Sequence, residues 1–197
     1  MDTMTLRQKQ AILAYFGCYD GAIDGIWGTK SRQGTQMLQR MLEIAEDGVF
    51  GSQTEAAARE RVGAGEKISD GEFWEGIRYW SREEFRCRCG EYNPMPLCDG
   101  FPAEPDKTLV MLVDDIRAKA GAPAHRSSGI RCPRHNEASG GVANSAHLTG
   151  KALDFFVEGV PGQALLELAL ADGRTNYAYR IRDSYGRLTD YIHVDVK

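Results

Sequence analysis

The sequence lacks both a long apolar run and a cluster of basic residues. No apolar segment approaches the roughly 20 residues needed to span a bilayer, and the first ten residues, MDTMTLRQKQ, have neither the charged nor the apolar region of a secretory signal. Lys and Arg are scattered and the net charge is -4, so the basic surface that nucleic-acid binding requires is missing. We therefore expect synthesis in the cytoplasm, no membrane insertion and no nucleic-acid partner.

The sequence also lacks a regular cysteine framework. Its 5 cysteines are an odd set without regular spacing, which argues against a domain built on disulfide bonds and makes reduced thiols the default. Four of them could supply the thiolates of a structural zinc site, although a C-x-C pair with distant partners is weak evidence from spacing alone. Free, bridged and metal-bound states stay open for Cys87, Cys89, Cys98 and Cys132.

An internal repeat marks the first third of the 197-residue chain. Residues 24–31 read DGIWGTKS and residues 47–54 read DGVFGSQT, which share Asp-Gly, an apolar residue, an aromatic residue, Gly and a final hydroxyl residue. The pattern predicts two glycine-rich turns, each followed by a helix with Ser31 or Thr54 as its N-cap. The expected helices are an amphipathic one ending at Gly17, then 31–44 and 52–62.

This helical segment resembles the bacterial peptidoglycan-binding domain, a three-helix bundle found beside cell-wall hydrolases. The pattern Y-x-G-x-I-D-G-x-x-G carries the resemblance, and it is matched by Tyr19, Gly21, Ile23, Asp24, Gly25 and Gly28. The resemblance implies an all-α domain at 1–63 that binds bacterial peptidoglycan, with Tyr19 and Trp27 as candidate wall-binding residues. Such residues in tight turns are also conformational requirements, so a purely structural role stays open. Dense glycine and charge then predict a linker at 64–78.

The rest of the chain mixes helical and strand patterns. Apolar spacing predicts a helix from Lys107 to Ala120, and a shorter one is expected near 161–171. In the strand-like ALDFFV, alternation projects Asp154 from an otherwise apolar segment. In the strand-like YIHVDV, alternation puts His193 and Asp195 on the face opposite the aliphatic residues.

Three residues in the last quarter of the chain form a candidate zinc site. His147 and His193 offer imidazoles and Asp154 offers a carboxylate, a donor set suited to zinc that leaves a fourth position open, as in catalytic sites. A buried carboxylate on an apolar strand also needs a cation to offset its desolvation. Each residue alone has an ordinary structural explanation, so the prediction rests on the three together.

The motifs around these ligands resemble the zinc D-alanyl-D-alanine peptidase family, which includes D-Ala-D-Ala dipeptidases and phage L-alanyl-D-glutamate endopeptidases. The resemblance covers about 79–197. It implies an α+β fold, in which helices and a small antiparallel sheet form the peptidase domain, and one catalytic Zn²⁺ held by the two histidines and the aspartate. The matching strings are S-x-H-x-x-G-x-x-x-D at 145–154, D-x-x-H-V-D at 190–195, F-x-C-x-C-G at 85–90 and S-G-x-R at 128–131.

The same resemblance assigns roles to further residues. Asp190 corresponds to the general base and Arg131 to the arginine that faces the scissile carbonyl or the substrate carboxylate. Ser145 corresponds to a position that binds the substrate backbone, although a turn hydroxyl is an equal alternative. Strand alternation would turn Asp190 away from His193, so the base assignment requires a bend or bulge where that strand begins.

Other polar residues of this region have less certain roles. Asp195 is a candidate acceptor for the ring N–H of a ligand histidine, which would fix the tautomer of that histidine, and it is also an alternative base. His125 and His135 lie in a polar loop and are expected on the surface or in the substrate cleft, not among the ligands.

The pairing of a wall-binding domain with a zinc peptidase domain predicts a monomeric peptidoglycan hydrolase. A phage-type endolysin is the expected setting, since such an enzyme accumulates in the cytoplasm and acts on the wall after release. A host D-Ala-D-Ala carboxypeptidase or dipeptidase, and a zinc-containing wall-binding protein without activity, stay open as alternatives. The scissile bond is also open, because D-Ala-D-Ala, cross-bridge and L-Ala-D-Glu cleavage use the same constellation.

Overall fold

A computed structural model of the chain describes residues 4–92 and 97–197. The chain divides into two compact units, Met1–Gly76 and Ile77–Lys197. The first unit is helical and the second carries a four-stranded antiparallel sheet together with helices, so the α+β class predicted from the sequence is confirmed. Among the described residues, no helix combines the length and the apolar character needed to cross a membrane.

The helices of the first unit differ from the predicted ones mainly at their ends. Residue Glu43, with a φ of 54°, follows α2 (Thr29–Met41) and prevents the helix from continuing to residue 44. Gly28 and Gly51 are the N-caps of α2 and of α3 (Ser52–Gly63), so Ser31 and Thr54 were wrongly predicted as caps and lie inside the first turn. The described helices of this unit are α1 (Leu6–Tyr15), α2 (Thr29–Met41), α3 (Ser52–Gly63) and α4 (Asp70–Glu75).

The hydroxyl of Ser31 serves a buried glutamine instead of a cap. Gln10, fully buried in α1, donates through Nε2 to Oδ1 of Asp24 (3.0 Å), to the carbonyl of Ile26 (3.0 Å) and to Oγ of Ser31 (3.4 Å). Its Oε1 accepts the backbone N–H of Gly25 at 2.8 Å. One amide side chain therefore holds the whole first copy of the repeated turn.

The second copy is held in the same way by Gln39 of α2. Its Nε2 donates to Oδ1 of Asp47 (2.7 Å), the carbonyl of Val49 (3.1 Å) and Oγ1 of Thr54 (3.0 Å), and its Oε1 accepts from the N–H of Gly48 (2.9 Å). In each copy the aspartate also accepts the backbone N–H of the residue two positions ahead. This bond is the main cause that lowers the pKa of the carboxyl, and the bond from the glutamine is the second. The repeat is thus two glutamine-clamped turns.

The predicted linker at 64–78 contains an ordered helix, α4. Ser69 and Glu72 form a capping box at its start, and Phe73 is buried. Arg61 of α3 bonds the carboxylate of Glu72 and lowers the pKa of that group to about 2. Part of the segment expected to be a spacer is therefore packed structure of the first unit.

The second unit is built on an antiparallel sheet whose strands, in spatial order, are β1 (Ala124–Ser128), β2 (Ala152–Val157), β4 (Leu188–Asp195) and β3 (Tyr177–Arg182). The main helix α6 (Lys107–Ala120) is capped at its start by the side chain of Asp106, which accepts from the N–H groups of Thr108 and Leu109, and at its end by Gly121, whose φ is 73°. The described elements are α5 (Cys89–Tyr92), α6 (Lys107–Ala120), β1 (Ala124–Ser128), α7 (Pro133–Ala138), β2 (Ala152–Val157), α8 (Gly162–Leu170), β3 (Tyr177–Arg182), β4 (Leu188–Asp195) and short 3₁₀ helices at Arg82–Phe85 and Ala146–Thr149.

The two faces of the sheet have different characters. Leu153 and Phe155 of β2, with Ile192 and Val194 of β4, are fully buried, and both α6 and α8 contact β2. Antiparallel pairing sets Leu153 opposite Val194 and the next residues, Asp154 and His193, opposite each other. Since successive side chains alternate between faces, the polar pair lies on the face opposite the helices.

The glutamine clamps generate a stability prediction. Gln39→Met keeps the side-chain length but leaves the buried N–H of Gly48 without its partner, so the free energy of unfolding should fall by about 2 kcal/mol. Gln53→Met, at an exposed position of α3, is the matched control and should stay within about 0.5 kcal/mol of the parent. Urea unfolding followed by circular dichroism measures both, and equal effects would show that the clamp does not hold the turn.

Candidate metal centre

The imidazoles of His147 and His193 converge on one oxygen of Asp154. Nε2 of His147 lies 3.2 Å from Oδ1 of Asp154, and Nδ1 of His193 lies 2.7 Å from the same oxygen. One ligand atom from each residue falls within 4.8 Å of the other two, and all three residues are buried. The three residues predicted as ligands are therefore brought together from separate parts of the sequence.

Each ligand comes from a different element. Asp154 of β2 and His193 of β4 are direct partners in the antiparallel register. His147 comes from the 3₁₀ helix Ala146–Thr149, which contacts β2. The sheet thus fixes two ligands and the short helix brings the third to the same point.

The second nitrogen of each imidazole is held by an oxygen acceptor. Nδ1 of His147 lies 2.6 Å from the carbonyl oxygen of Gly129, and Nε2 of His193 lies 3.4 Å from Oδ2 of Asp195. With a metal bound, donation to these oxygens would leave the nitrogen that faces Asp154 unprotonated on each ring, which is the arrangement that metal-binding histidines adopt. The chemistry of this donor set therefore fits a zinc ion.

Gly129 can supply its carbonyl because it has no side chain. A Cβ at this position would come within 2.5 Å of the carbonyl oxygen of Phe85. The adjacent N–H of Ile130 donates to that same oxygen at 2.8 Å. The glycine of the S-G-x-R string is thus a requirement of close backbone packing beneath His147.

Electrostatics at the site keep Asp154 ionised. Burial works to raise the pKa of this carboxyl, but the hydrogen bonds from His147 and His193 outweigh that effect and hold its pKa well below the ordinary value. Nη2 of Arg131 also donates to Oδ2 of Asp154 at 2.7 Å. The carboxylate therefore presents Oδ1 to the histidines and Oδ2 to the guanidinium.

Arg131 is engaged differently from what the resemblance implied. In addition to Asp154, its guanidinium bonds Oγ of Ser128 through Nε at 2.7 Å, and its backbone N–H donates to the carbonyl of His147 at 3.0 Å. The resemblance implied that the guanidinium of Arg131 faces a scissile carbonyl or a substrate carboxylate. In the structure it is bonded to Asp154, one of the candidate metal ligands. In this structure Arg131 orients Asp154.

A cleft of about 600 Å³ opens above the three ligands. Ser145 lines it, and its side chain does not cap the 3₁₀ helix that follows. Asn176, Tyr177 and Tyr179 line the same cleft, and the ring of Tyr179 stacks on His193 with centroids 4.8 Å apart. The cleft therefore combines the candidate metal ligands with aromatic and amide side chains suited to a peptide.

Asp190, the expected base, does not line this cleft. Its Oδ1 accepts the backbone N–H of Gly162 at 2.8 Å, at the start of α8, and lies 3.9 Å from Nη2 of Arg180. A Cβ on Gly162 would come within 2.7 Å of the Asp190 Cα, so this glycine allows the close contact. The carboxylate belongs to the helix side of the sheet, and the structure corrects the expectation that it faces the ligands.

A bulge does occur in β4, but it does not reorient Asp190. Arg180 pairs with Ile192, whereas Arg182 pairs with Leu188, so two steps along β3 correspond to four along β4. An insertion of two residues preserves the alternation between faces, because alternation has a period of two. Asp190 accordingly stays on the same side as Ile192.

Asp195 is the carboxylate that shares the cleft with the ligands. Besides its contact with His193, it accepts the Nδ2 donor of Asn176 through Oδ1 at 2.9 Å, and its side chain is largely buried. Among the described residues that line the cleft, Asp154 and Asp195 are the only acidic ones. Its position is compatible with both roles considered from the sequence, tautomer control and proton transfer.

The two remaining histidines lie in regular elements and not in the polar loop expected from the sequence, since His125 is in β1 and His135 is in α7. Nε2 of His125 contacts Oε1 of the exposed Glu158 at 2.5 Å. Nδ1 of His135 lies 3.2 Å from Sγ of Cys87.

Sequence reasoning missed Tyr179 and Asn176. Alternation in YAYRIR combined with the hairpin register, which pairs Tyr179 with His193, could have identified the tyrosine. Asn176 precedes the strand and carried no recognisable signal.

The two aromatics considered for wall binding have different surroundings in the first unit. The hydroxyl of Tyr19 donates to the carbonyl of Ala22 at 2.9 Å and accepts from Gln10, so it is part of the clamped turn. Trp27 packs edge-on against Phe50 and lines a cleft of about 360 Å³. Of the pair, Trp27 offers its ring to a surface groove.

Two family models match the chain. Residues 78–195, more than half of the 197 residues, match the family described as Peptidase M15. Residues 5–58 match a peptidoglycan-binding domain. The resemblances drawn from the sequence are thus confirmed for both parts of the chain. No curated protein matches the chain.

The converging ligands generate a metal-binding prediction. His147→Ala removes one of three protein donors, so the purified chain should bind about one zinc ion fewer than the parent. His125→Ala removes an exposed histidine bonded to Glu158 and should leave the metal content unchanged. Plasma mass spectrometry of dialysed protein measures the stoichiometry. Equal zinc content in the parent and the His147 variant would exclude this site.

Proposed function

The chain belongs to the Peptidase M15 family, and we propose that it is a zinc-dependent endopeptidase that cleaves peptide bonds within peptidoglycan. The family and the N-terminal domain support a peptidase that acts on peptidoglycan. The observation that carries the proposal is the convergence of His147, Asp154 and His193 at a cleft in the unit that matches the peptidase family.

Zinc is the cofactor that the donor set favours. Nε2 of His147, Oδ1 of Asp154 and Nδ1 of His193 would hold the ion. When bound, a catalytic zinc acidifies water and polarises the carbonyl of the scissile bond. Gly129 and Asp195 keep the two imidazoles in the tautomers that ligation needs, and Arg131 fixes the carboxylate.

Asp195 is the acid–base residue in this proposal. General acid–base catalysis requires a carboxylate within reach of the attacking water and the leaving amine. Asp195 lines the cleft and is fixed by Asn176, whereas the carboxylate of Asp190 is bonded to the start of α8. Asp195 accepts a proton from the attacking water and returns it to the leaving amine.

The charges around the cleft favour an endopeptidase over a carboxypeptidase. A carboxypeptidase must bind the terminal carboxylate of its substrate, usually with an available cation. Arg131 is the only Lys or Arg among the described residues that line the cleft, and its guanidinium already bonds Asp154 and Ser128. The cleft therefore suits an internal segment of a stem or cross-link peptide, which carries no terminal charge at the scissile bond.

The domain pairing favours a lytic setting, that of a phage-type endolysin made in the cytoplasm and acting on the wall after release. A wall-binding domain concentrates a peptidase on an insoluble polymer, because tethering raises the effective concentration of the second site. A host enzyme that trims soluble dipeptides or precursors has little use for such a domain. The first unit supplies Trp27 as its candidate contact with glycan.

The assignment of the base generates a kinetic prediction. Asp195→Asn should lower kcat by about 100- to 10,000-fold, because the side chain keeps its size but can no longer accept the proton. Asp190→Asn should keep most of its activity, since that residue lies outside the cleft. Amine release from purified peptidoglycan measures both rates. Zinc is kept in excess and metal content is determined in parallel.

Two outcomes would contradict this assignment. If Asp190→Asn loses activity while Asp195→Asn keeps it, the base is Asp190, as the resemblance implied. If added zinc restores Asp195→Asn to the parent rate, Asp195 acts only through His193 and is a positioning residue.

The cleft charges generate a prediction about products. Defined muropeptides incubated with the enzyme should be cut within the stem or cross-link into two peptide fragments, without release of a free terminal D-alanine. Mass spectrometry of the products identifies the bond, and the His147→Ala variant serves as the inactive control. Release of D-alanine alone would identify a carboxypeptidase and overturn this part of the proposal.

A further inference from the structure

Four cysteine sulfurs meet at one point of the second unit, apart from the ligands described above. We propose that Cys87, Cys89, Cys98 and Cys132 bind a second zinc ion with a structural role. Closed sites with four protein ligands and no open position are the structural class of zinc sites, and four thiolates are a common set. The proposal goes beyond the peptidase function and does not depend on it.

The spacing of the sulfurs fits a tetrahedral metal site better than a disulfide. All four Sγ atoms lie within 4.8 Å of one another, and Sγ of Cys89 is 3.6 Å from Sγ of Cys98. In a tetrahedral site with Zn–S bonds of about 2.3 Å, neighbouring sulfurs are separated by about 3.8 Å. A disulfide bond would bring two of them to about 2.05 Å.

The four residues come from different parts of the unit, so the chain has gathered them. Cys87 follows the 3₁₀ helix Arg82–Phe85, Cys89 begins α5, Cys98 lies in the loop after it, and Cys132 precedes α7. Three of them are buried, and the fourth, Cys98, is partly buried against the others. Hydrophobic packing alone does not account for four thiols at one point, because one or two larger apolar side chains would fill the same space.

Backbone N–H groups point at three of the sulfurs. The N–H of Cys132 donates to Sγ of Cys87 at 3.3 Å, that of Leu97 to Sγ of Cys89 at 3.3 Å, and that of Gly100 to Sγ of Cys98 at 3.4 Å. A thiolate accepts such bonds more strongly than a neutral thiol, because hydrogen bonds to ionised acceptors are the stronger ones. The backbone around the cluster is therefore arranged to stabilise metal-bound thiolates.

A nearby imidazole completes the environment. Nδ1 of His135, on α7, lies 3.2 Å from Sγ of Cys87. An imidazole N–H at this distance can donate to a thiolate and offset part of the negative charge of a site with four thiolates.

The cluster also anchors the segment beneath the catalytic ligands. Cys132 directly follows Arg131, whose guanidinium fixes Asp154, and Gly129 in the same segment holds His147 through its carbonyl. A metal at the cysteines would fix residues 129–132 from one end. The role of this metal is then to keep the candidate peptidase ligands in their positions.

Metal stoichiometry tests the proposal. The parent chain should contain about two zinc ions, and Cys89→Ser/Cys98→Ser about one. Cys18→Ser changes a buried cysteine of the first unit and should keep both ions. His147→Ala should keep the ion at the cysteines and lose the other, so a failed peptidase proposal is distinguished from a failed cysteine site.

A second measurement leaves the cysteines intact, so that its result does not depend on the folding of a cysteine variant. Cobalt replaces zinc in the His147→Ala chain, and thiolate ligation should give intense sulfur-to-cobalt charge-transfer absorption in the near ultraviolet. The proposal is overturned if that chain binds no cobalt or shows no such absorption. It is also overturned if peptide mapping of metal-replete protein prepared without reductant shows a Cys89–Cys98 disulfide in place of bound zinc.

Discussion

The antiparallel pairing of β2 with β4 is the constraint on which the rest of the catalytic unit depends. It sets Asp154 opposite His193 and, one step away, Leu153 opposite Val194. Because a slip of one residue would exchange the two faces, burial of the aliphatic residues against the helices also fixes the side on which the carboxylate and the imidazole meet. Hydrophobic packing on one face is thus the force that assembles the polar pair on the other.

The segments around the sheet complete what the pairing begins. The carbonyl of Gly129 orients His147, and Arg131 occupies the oxygen of Asp154 that the imidazoles do not use. Both residues lie in one short stretch that ends at Cys132, within the cysteine cluster. Ligand geometry therefore relies on a loop, and a loop holds such positions only when it is fixed at more than one point. Close packing against Phe85 and the thiol cluster provide those points.

Local pattern in the sequence was sufficient to predict features that repeat over a few residues. Alternation in ALDFFV and YIHVDV identified the faces of β2 and β4, and the repeat identified two similar turns. Local pattern was insufficient where one side chain forms hydrogen bonds with a segment that is distant in the sequence. Ser31 was interpreted as a cap because hydroxyls favour that position, yet its oxygen accepts from Gln10, 21 residues away. Buried glutamines carry no periodic signal, and neither does the pairing of Arg131 with Asp154, since both depend on tertiary contacts.

Asp190 shows how a motif and a physical rule can compete. The D-x-x-H spacing resembles that of a base and a ligand, while a three-residue separation on a strand puts two side chains on opposite faces. Only an odd number of inserted residues would bring them to the same face, and β4 accommodates two. The carboxylate accordingly accepts the N–H of Gly162 at the start of α8, where a negative charge is favoured by the helix dipole. A carboxylate that anchors a helix on one side of a sheet cannot also take a proton on the other, and in the function proposed above that task falls to Asp195.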